Sequence, residues 1–174
     1  GHRGAFDPSY AETAAIGLFS LLPSVVNAVD IPVIAAGGIG DARGVAASLV
    51  LGASAAMIGT GYLRCPEAMI ASSWADRIAG AQPEETMITR AFSGRPGRSL
   101  ATAYSRAAVA SDAPAPAPYP VQRGLTAAMR GKAAAENDVE RMQAWAGQSA
   151  RLAQALPAAE LTAALWSGAV ETLR

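Results

Sequence analysis

Glycines follow two apolar runs of the sequence in a pattern that suits the binding of a phosphate group. "GGIG" at residues 37–40 comes directly after "IPVIAA", and "GTG" at residues 59–61 comes after "ASAAMI". Glycine has no Cβ, so a turn built from it lets backbone N–H groups approach a phosphate closely. The helix that follows such a turn adds the positive end of its dipole. The two clusters therefore predict a phosphate site, with the hydroxyl of Thr60 as a further donor.

The segments around these glycines predict the elements that must position them. "IPVIAA" (31–36) is short, apolar and rich in β-branched residues, which is typical of a parallel strand covered on both faces. "DARGVAASLVLG" predicts a helix with Asp41 as N-cap and Gly52 at its end, and a second strand follows over 55–59. Apolar residues at helical spacing precede the first strand, and a helix starting at Pro66 and ending near Gly80 follows the second.

This order of elements indicates a parallel α/β sheet. Ligands gather at the carboxyl ends of parallel strands, and in a (β/α)₈ barrel the phosphate site follows strands 7 and 8. Either glycine cluster alone also fits a tight turn without a ligand. The two clusters together, one βα unit apart, favour phosphate binding.

The second half of the sequence reads differently. Residues 85–107 predict a short strand, a turn "SGRPGR" and a helix, and "SDAPAPAPYP" predicts an extended spacer. Helices are predicted over 122–132, 136–155 and 158–173. The turn "SGRPGR" is open to two interpretations, a mobile loop facing the active site or a plain surface turn. Tyr104 and Trp145 are interpreted as core residues.

Composition excludes several classes of protein. The 174 residues are 51% apolar with no net charge, and the absence of a basic block argues against a nucleic-acid partner. The longest apolar stretch is broken by Gly52, Gly59 and Gly61, so we interpret it as buried core rather than a membrane span. Cys65 is the single cysteine, which favours a reducing, cytoplasmic location and a small buried side chain. No group of side chains has metal-ligand spacing, so we assign no metal.

Three stretches of the sequence resemble the nitronate monooxygenase family, formerly called 2-nitropropane dioxygenases. They are "GHRG", the run from "LLPSVV" to "RCPEA", and "TRAFSGRP", and the similarity continues more loosely through "PYPVQRGLT" and "WAGQ". The resemblance implies FMN as cofactor, a TIM barrel with an added, mainly helical region, and oxidation of small alkyl nitronates by O₂. Flavin-dependent enoyl reductases share the same motifs. An enoyl-thioester (enoyl-ACP) reductase using NAD(P)H, and a non-catalytic fragment of such a barrel, therefore stay open as alternatives.

The resemblance also implies roles for individual residues. Those matched to the family's phosphate loops are Gly37, Gly38, Gly59 and Thr60. Gly1 matches a glycine beside the flavin, and Gln148 is placed near the flavin face. His2 matches the catalytic histidine, either as the base that removes the proton α to a nitro group or as a positive partner for the nitronate. Without the resemblance, His2 would be interpreted as a solvated terminal residue.

The family pattern places five or six further strands ahead of Gly1, so this chain is expected to be the C-terminal half of a longer barrel. The expected fold class is α/β, the C-terminal part of a TIM (β/α)₈ barrel with a mainly helical extension. Residues 1–65 would form the closing βα units, 66–137 the substrate-side region, and 138–174 helices that pack back on the barrel. An N-terminal barrel half is the implied partner, alongside a small-molecule nitronate and O₂.

Overall fold

A computed structural model describes Tyr10 and residues 15–174 of the chain. The strands are β1 (Ile34–Ala36), β2 (Ala55–Met57), β3 (Thr86–Thr89) and β4 (Gly97–Leu100). The α-helices are α1 (Leu18–Val26), α2 (Ala42–Val50), α3 (Ser72–Gly80), α4 (Ala103–Ala107), α5 (Val121–Leu125), α6 (Ala127–Ala135) and α7 (Ala158–Thr172). Short 3₁₀ helices occupy Thr60–Tyr62, Pro66–Ala68, Pro83–Glu85 and Ala150–Leu152. The chain is thus mixed α/β.

The described elements form two compact units. The parallel-strand unit contains residues 16–69 and 149–174, and the hairpin unit is described over residues 70–148. The domain boundaries predicted near residues 65 and 137 stay a prediction about the complete protein. No helix among the described residues combines the length and apolar character that a membrane crossing requires.

The two strands of the parallel-strand unit confirm the predicted βαβ arrangement. β1 and β2 are parallel neighbours, with Ile34 opposite Ala55 and Ala36 opposite Met57. α2 connects them, capped at its start by the Asp41 carboxylate and followed at its end by Gly52 with a φ of +96°. Only glycine adopts such a positive φ without strain, which explains why the helix ends there. The strands are shorter than the predicted segments 31–36 and 55–59.

The core of this unit lies on one side of the strands. Leu22 of α1, Ala35 of β1 and Val45 of α2 pack with the buried leucines of α7, Leu161 and Leu165. Full burial of a leucine or valine contributes about 1.5–3 kcal/mol, so α7 is a substantial part of this core. The apolar spacing of the sequence predicts α7 and α2 as helices but not that they share a core.

The prediction that β1 is covered on both faces is wrong for the described structure. Ala35 is buried, whereas Ile34 on the opposite face is 61% exposed and Met57 of β2 is 62% exposed. Side chains alternate between the faces of a strand, and α1, α2 and α7 cover only one of them. The described pair of strands therefore carries one bare apolar face.

The hairpin unit is built on an antiparallel pair. β3 pairs with β4 in a register that places Thr86 opposite Leu100 and Thr89 opposite Gly97. Phe92, fully buried in the connecting turn, packs against the rings of Tyr104 at 5.2 Å and Trp145 at 6.0 Å between centroids. Such tilted and edge-on arrangements are the favoured ones for aromatic pairs. The interpretation of Tyr104 and Trp145 as core residues agrees with this packing.

The turn "SGRPGR" is not a plain surface turn in this structure, and the alternative, a mobile loop facing the active site, stays a prediction. Ser93 and Pro96 are fully buried at the tip of the hairpin. A Cβ on Gly94 would lie 2.3 Å from the carbonyl oxygen of Ala117, because the Ala/Pro segment crosses directly over the turn. That segment, from Ala108 to Pro120, contains no helix or strand, in line with the predicted spacer.

One predicted helix is broken in the structure and another is absent. The helix predicted from Pro66 to near Gly80 consists of a 3₁₀ turn and then α3, separated at Met69, where φ is +48°. The helix predicted over 136–155 is wrong. Asn137, with a φ of +55°, stops the chain from continuing α6, and the backbone of Ala144 and Ala146 hydrogen-bonds to β4 instead.

The remaining helix predictions agree with the structure. The segment predicted over 122–132 is divided at Thr126 into α5 and α6, whose ranges extend it by a few residues at either side. The segment predicted over 158–173 corresponds to α7. Its first turn is fixed by Glu67, whose carboxylate accepts a hydrogen bond from the N–H of Ala158 at 2.9 Å. A carboxylate at this end is favourable because the helix dipole is positive there.

Candidate functional site

The first glycine turn, Gly37–Gly40, begins where β1 ends. Gly37 and Gly38 have φ values of +99° and +75°, so a side chain at either position would be strained. Both residues are exposed, and a Cβ built on either one meets no atom of a described neighbour within 4 Å. The turn therefore borders open space on the side where these two residues lack side chains.

The opposite side of the first glycine turn is anchored. Ile39 is buried in the core of the parallel-strand unit. A Cβ on Gly40 would lie 3.0 Å from the Cβ atoms of Ser149 and Leu152, so only glycine fits there without displacing a neighbour. The hydroxyl of Ser149 also donates a hydrogen bond to the carbonyl oxygen of Gly38. The turn is thus held by the core and by a segment far along the chain.

The helix α2, which follows the first glycine turn, is capped by the acidic residue Asp41. Asp41 accepts hydrogen bonds from the N–H of Gly44 at 3.1 Å and from Nε of Arg43 at 2.8 Å. Burial raises the pKa of Asp41, but the hydrogen bonds from Arg43 and Gly44 and the charge of Arg43 outweigh it, and the pKa lies below 3.8. The first turn of α2 is therefore already capped. We expect a phosphate here to meet the N–H groups of the glycine turn rather than those deeper in the helix.

The second glycine turn, Gly59–Gly61, follows β2. Gly59 is exposed, and among residues 15–174 a Cβ on it meets nothing within 4 Å. A 3₁₀ helix starts at Thr60 and is closed by a hydrogen bond from the N–H of Tyr62 to the carbonyl of Gly59 at 3.1 Å. A Cβ on Gly61 would lie 2.7 Å from Ile58 Cγ2. Like the first, this turn has an open side and a packed side.

The two glycine turns are neighbours. The strand register places Ala36 opposite Met57, so the chain leaves both strands at the same edge. The position of a Cβ on Gly61 is 4.0 Å from the carbonyl oxygen of Gly40. Within the described part of the chain, no backbone acceptor receives a hydrogen bond from the N–H of Gly38 or Gly59. The arrangement offers backbone donors at an open edge, as the glycine pattern predicts.

Two of the predicted site residues lie outside the described residues. Gly1 and His2 are not among the residues that the structure describes, so their placement stays a prediction. Gln148 is exposed and belongs to the hairpin unit, and its approach to a flavin is likewise untested. No group of His, Cys, Asp or Glu residues suited to a metal ion occurs among the residues that the structure describes.

Sequence reasoning missed Ser149 as part of this site. Its hydrogen bond to Gly38 joins residues 111 positions apart. The neighbouring "WAGQ" motif drew attention to Gln148, but nothing in the sequence signals a contact over that separation. The sequence places Gly40 in the first glycine cluster, whereas its close packing against Leu152 follows only from the structure.

The fold and the site define an α/β protein in which two glycine turns meet at the carboxyl edge of a parallel strand pair. The sequence profile of the nitronate monooxygenase family matches residues 1–168. The chain belongs to the nitronate monooxygenase family, a class of oxidoreductases.

Individual relatives agree with this assignment. The chain is 41% identical to a nitronate monooxygenase of Paraburkholderia phytofirmans over 95% of its own length and 45% of that protein. It is also 41% identical to a probable nitronate monooxygenase of Bacillus subtilis, over 87% of this chain and 43% of that protein. The chain thus spans about half the length of the curated relatives it matches.

Solved structures give the same result. The nitroalkane oxidase of Streptomyces ansochromogenes superposes with a TM-score of 0.90 at 40% identity, covering 100% of this chain and 50% of that one. FabK of Thermotoga maritima superposes with a TM-score of 0.74 at 31% identity, covering 91% of this chain and 50% of that one. The nitroalkane oxidase is the more similar of the two by both measures.

Proposed function

We propose that this chain is part of an FMN-dependent oxidoreductase that oxidises small alkyl nitronates with O₂. The observation that carries the proposal is the pair of glycine turns in a member of the nitronate monooxygenase family. The two turns lie side by side at one edge of the sheet, and each is open where a side chain would otherwise project. The names of the relatives, nitronate monooxygenase and nitroalkane oxidase, support the substrate class.

The residues of the two turns fit the phosphate of FMN. Gly37, Gly38 and Gly59 border a space that a Cβ would enter, and backbone N–H groups are the donors that a phosphate accepts. Thr60 adds a hydroxyl at the start of its 3₁₀ helix. In this proposal the two turns hold the phosphate between them, and Gly1 lies beside the flavin.

The flavin, when bound, supplies the electron transfer between substrate and O₂, and the chain binds and orients the reactants. His2 is the residue proposed to handle the proton. It either removes the proton from the carbon α to a nitro group or, as a cation, pairs with the nitronate anion. Because His2 lies outside the described residues, this proposed role rests on the "GHRG" match. Kinetic measurements can test it.

Two forms of one substrate separate these roles of His2. If His2 is the base, His2→Ala should abolish turnover of the neutral nitroalkane and leave turnover of the pre-formed nitronate nearly unchanged. If His2 is the cationic partner, the same variant should raise KM for the nitronate. If wild type and His2→Ala had equal kinetics with both the nitroalkane and the nitronate, His2 would have no role in the mechanism.

We further propose that the chain forms the closing part of a (β/α)₈ barrel. The bare face with Ile34 and Met57 would then be the barrel interior, covered by strands of an N-terminal half. Residues 1–174 alone should therefore aggregate or need a partner, bind FMN weakly and show negligible nitronate oxidation. FMN titration and an aerobic assay of the isolated chain test this, and a monomeric, yellow, active product would contradict it.

The test of the activity itself is a comparison of substrates, made on protein expressed from the complete reading frame. Aerobic turnover of propionate-3-nitronate without a pyridine nucleotide is the expected result. The second candidate is an enoyl-thioester reductase, supported by the motifs shared with flavin-dependent enoyl reductases. A strict requirement for NAD(P)H and an enoyl thioester would favour that candidate. A purified protein that stays colourless after FMN is added would favour a non-catalytic role.

A further inference from the structure

One short segment, Ser149–Ala153, contacts the chain at both glycine turns. Ser149 donates its hydroxyl hydrogen to the carbonyl oxygen of Gly38 in the first turn. Arg64, three residues after the second turn, donates from Nη1 to the carbonyl oxygen of Ala153 at 3.0 Å. The segment, which contains the 3₁₀ helix Ala150–Leu152, is thus tied to the chain near each turn by a side chain–backbone hydrogen bond.

The contact with the first turn is also steric. Gly40 meets Ser149 and Leu152 so closely that a Cβ on it would stand 3.0 Å from both of their Cβ atoms. Ala150 is buried, so the segment cannot shift outward without exposing it. The first turn is therefore held on one side by Ile39, which is buried in the core, and on the other side by the segment Ser149–Ala153.

We infer that Ser149 is a positioning residue that sets the direction of the backbone donors in the first glycine turn. The peptide group between Gly38 and Ile39 is planar and trans, so its carbonyl and its N–H point in opposite directions. By holding the carbonyl of Gly38, Ser149 fixes where the N–H of Ile39 points. This role rests on the proposed phosphate site, and it predicts that Ser149 affects recognition of a phosphate without contacting it.

The experiment compares two probes, FMN and riboflavin, which differ in the phosphate alone. Their dissociation constants are measured for wild type, Ser149→Ala and Ser149→Thr, each expressed from the complete reading frame. Loss of one hydrogen bond predicts that Ser149→Ala weakens FMN binding roughly three- to tenfold. Riboflavin binding should stay within about twofold, and Ser149→Thr, which keeps the hydroxyl, should retain most of the FMN affinity.

A matched control is Ser167→Ala on α7. Ser167 is an exposed serine of the same unit that also donates to a backbone carbonyl, that of Ala164. It should change neither dissociation constant. If Ser149→Ala proves unstable, Ser149→Cys provides the same comparison, since it keeps a side chain at this position but its thiol, larger than the hydroxyl, donates only weakly.

Three results would overturn the inference, and they differ from one another. An unchanged FMN affinity in Ser149→Ala would show that the hydrogen bond does not position the turn. An equal loss for FMN and riboflavin would show a general structural role. If the wild-type protein bound riboflavin as tightly as FMN, the proposed phosphate site would be refuted. The proposed function would then be refuted as well.

Discussion

Gly168 of α7 lies against Ala42, the first residue of α2. A Cβ on Gly168 would stand 2.8 Å from the Cβ of Ala42, closer than real Cβ atoms approach one another. The absence of a side chain at Gly168 therefore allows α7 to pack against the start of the helix that leaves the first glycine turn. Leu161 and Leu165 on the same helix are buried in the core that forms there.

Gly168→Ala should destabilise the parallel-strand unit by about 1–3 kcal/mol, the usual cost of an added methyl group in a packed contact. This is the opposite of the gain expected for glycine to alanine in a helix with room for the methyl group. Urea unfolding measures the difference. Combining the change with Ala42→Gly should recover part of the loss, because it removes the atom that clashes. A loss of the same size in both backgrounds would locate the cause elsewhere.

Gly131 in α6 provides the contrasting substitution. A Cβ there meets nothing within 4 Å in the part of the chain that the structure describes, so Gly131→Ala should stabilise its helix by up to about 1 kcal/mol. Thermal or urea unfolding of the same protein tests both glycines under one condition. Destabilisation by Gly131→Ala would contradict the open surroundings of this residue.

Gly38→Val should weaken FMN binding severely. Valine is strained at a φ of +75°, at a cost of about 1–3 kcal/mol, and its side chain would occupy the space proposed for the phosphate. Flavin content after purification and titration with FMN measure the effect. Gly17→Val is the control, since Gly17 has an ordinary φ, no described neighbour where its Cβ would stand, and no part in either glycine turn. Normal flavin content in Gly38→Val would refute the phosphate assignment.

Asp41 should make the stability depend on pH in the acid range. Its pKa in the folded protein lies below the ordinary 3.8, so the folded state holds the carboxylate charged where the unfolded chain begins to bind a proton. The resulting stability is complete above pH 3.8 and is lost as the pH falls through the lower folded pKa. Because the side chain of Arg43 is 78% accessible, solvent screening reduces the share of this stability that its charge contributes.

The substitutions Asp41→Ala and Asp41→Asn separate the cap from the charge. At pH 7, Asp41→Ala should cost about 1 kcal/mol, the usual value of an N-cap, and Asp41→Asn should cost less because asparagine also caps helices. The difference between wild type and Asp41→Asn should shrink as the pH falls below about 4. Urea midpoints measured from pH 7 to pH 3 provide the test, and a constant difference over that range would speak against the charged carboxylate.

Cys65 should be unreactive in the folded protein. Its side chain is 4% exposed, and burial, with the nearby negative charge of Glu67, raises the pKa of its thiol. The thiolate is the reactive form, so a thiol reagent at pH 8 should label Cys65 slowly in buffer and quickly in urea. Equal rates in the two conditions would mean that the thiol is accessible. The prediction of a small buried side chain from the sequence is confirmed.

The sequence predicts the βαβ part of the fold because its signals there are local. Asp41 and Gly52 delimit α2, and the apolar runs around them define two strands whose parallel pairing follows from the connecting helix. The positions of the two glycine turns follow from the same short-range signals. Family membership also follows from motifs that are continuous in the sequence.

The sequence does not predict those parts of the structure that depend on tertiary contacts. Residues 136–155 have helical composition, yet Ala144 and Ala146 pair with β4, and such pairing over a long separation leaves no periodic signal. The burial of Ser93 and Pro96 depends on the Ala/Pro segment that crosses them. The hydrogen bond of Ser149 to Gly38 is of the same kind, because both partners look like ordinary loop residues.

The hydrogen bond between Ser149 and Gly38 also has a consequence for biosynthesis. Gly38 leaves the ribosome 111 residues before its partner. At about 5–20 residues per second, the first glycine turn exists for roughly 5 to 20 seconds before Ser149 has been translated. The first turn therefore acquires this hydrogen bond only after residue 149 has been synthesised. A nascent chain that stops before residue 149 carries every glycine of both turns and still lacks the hydroxyl that holds the carbonyl of Gly38.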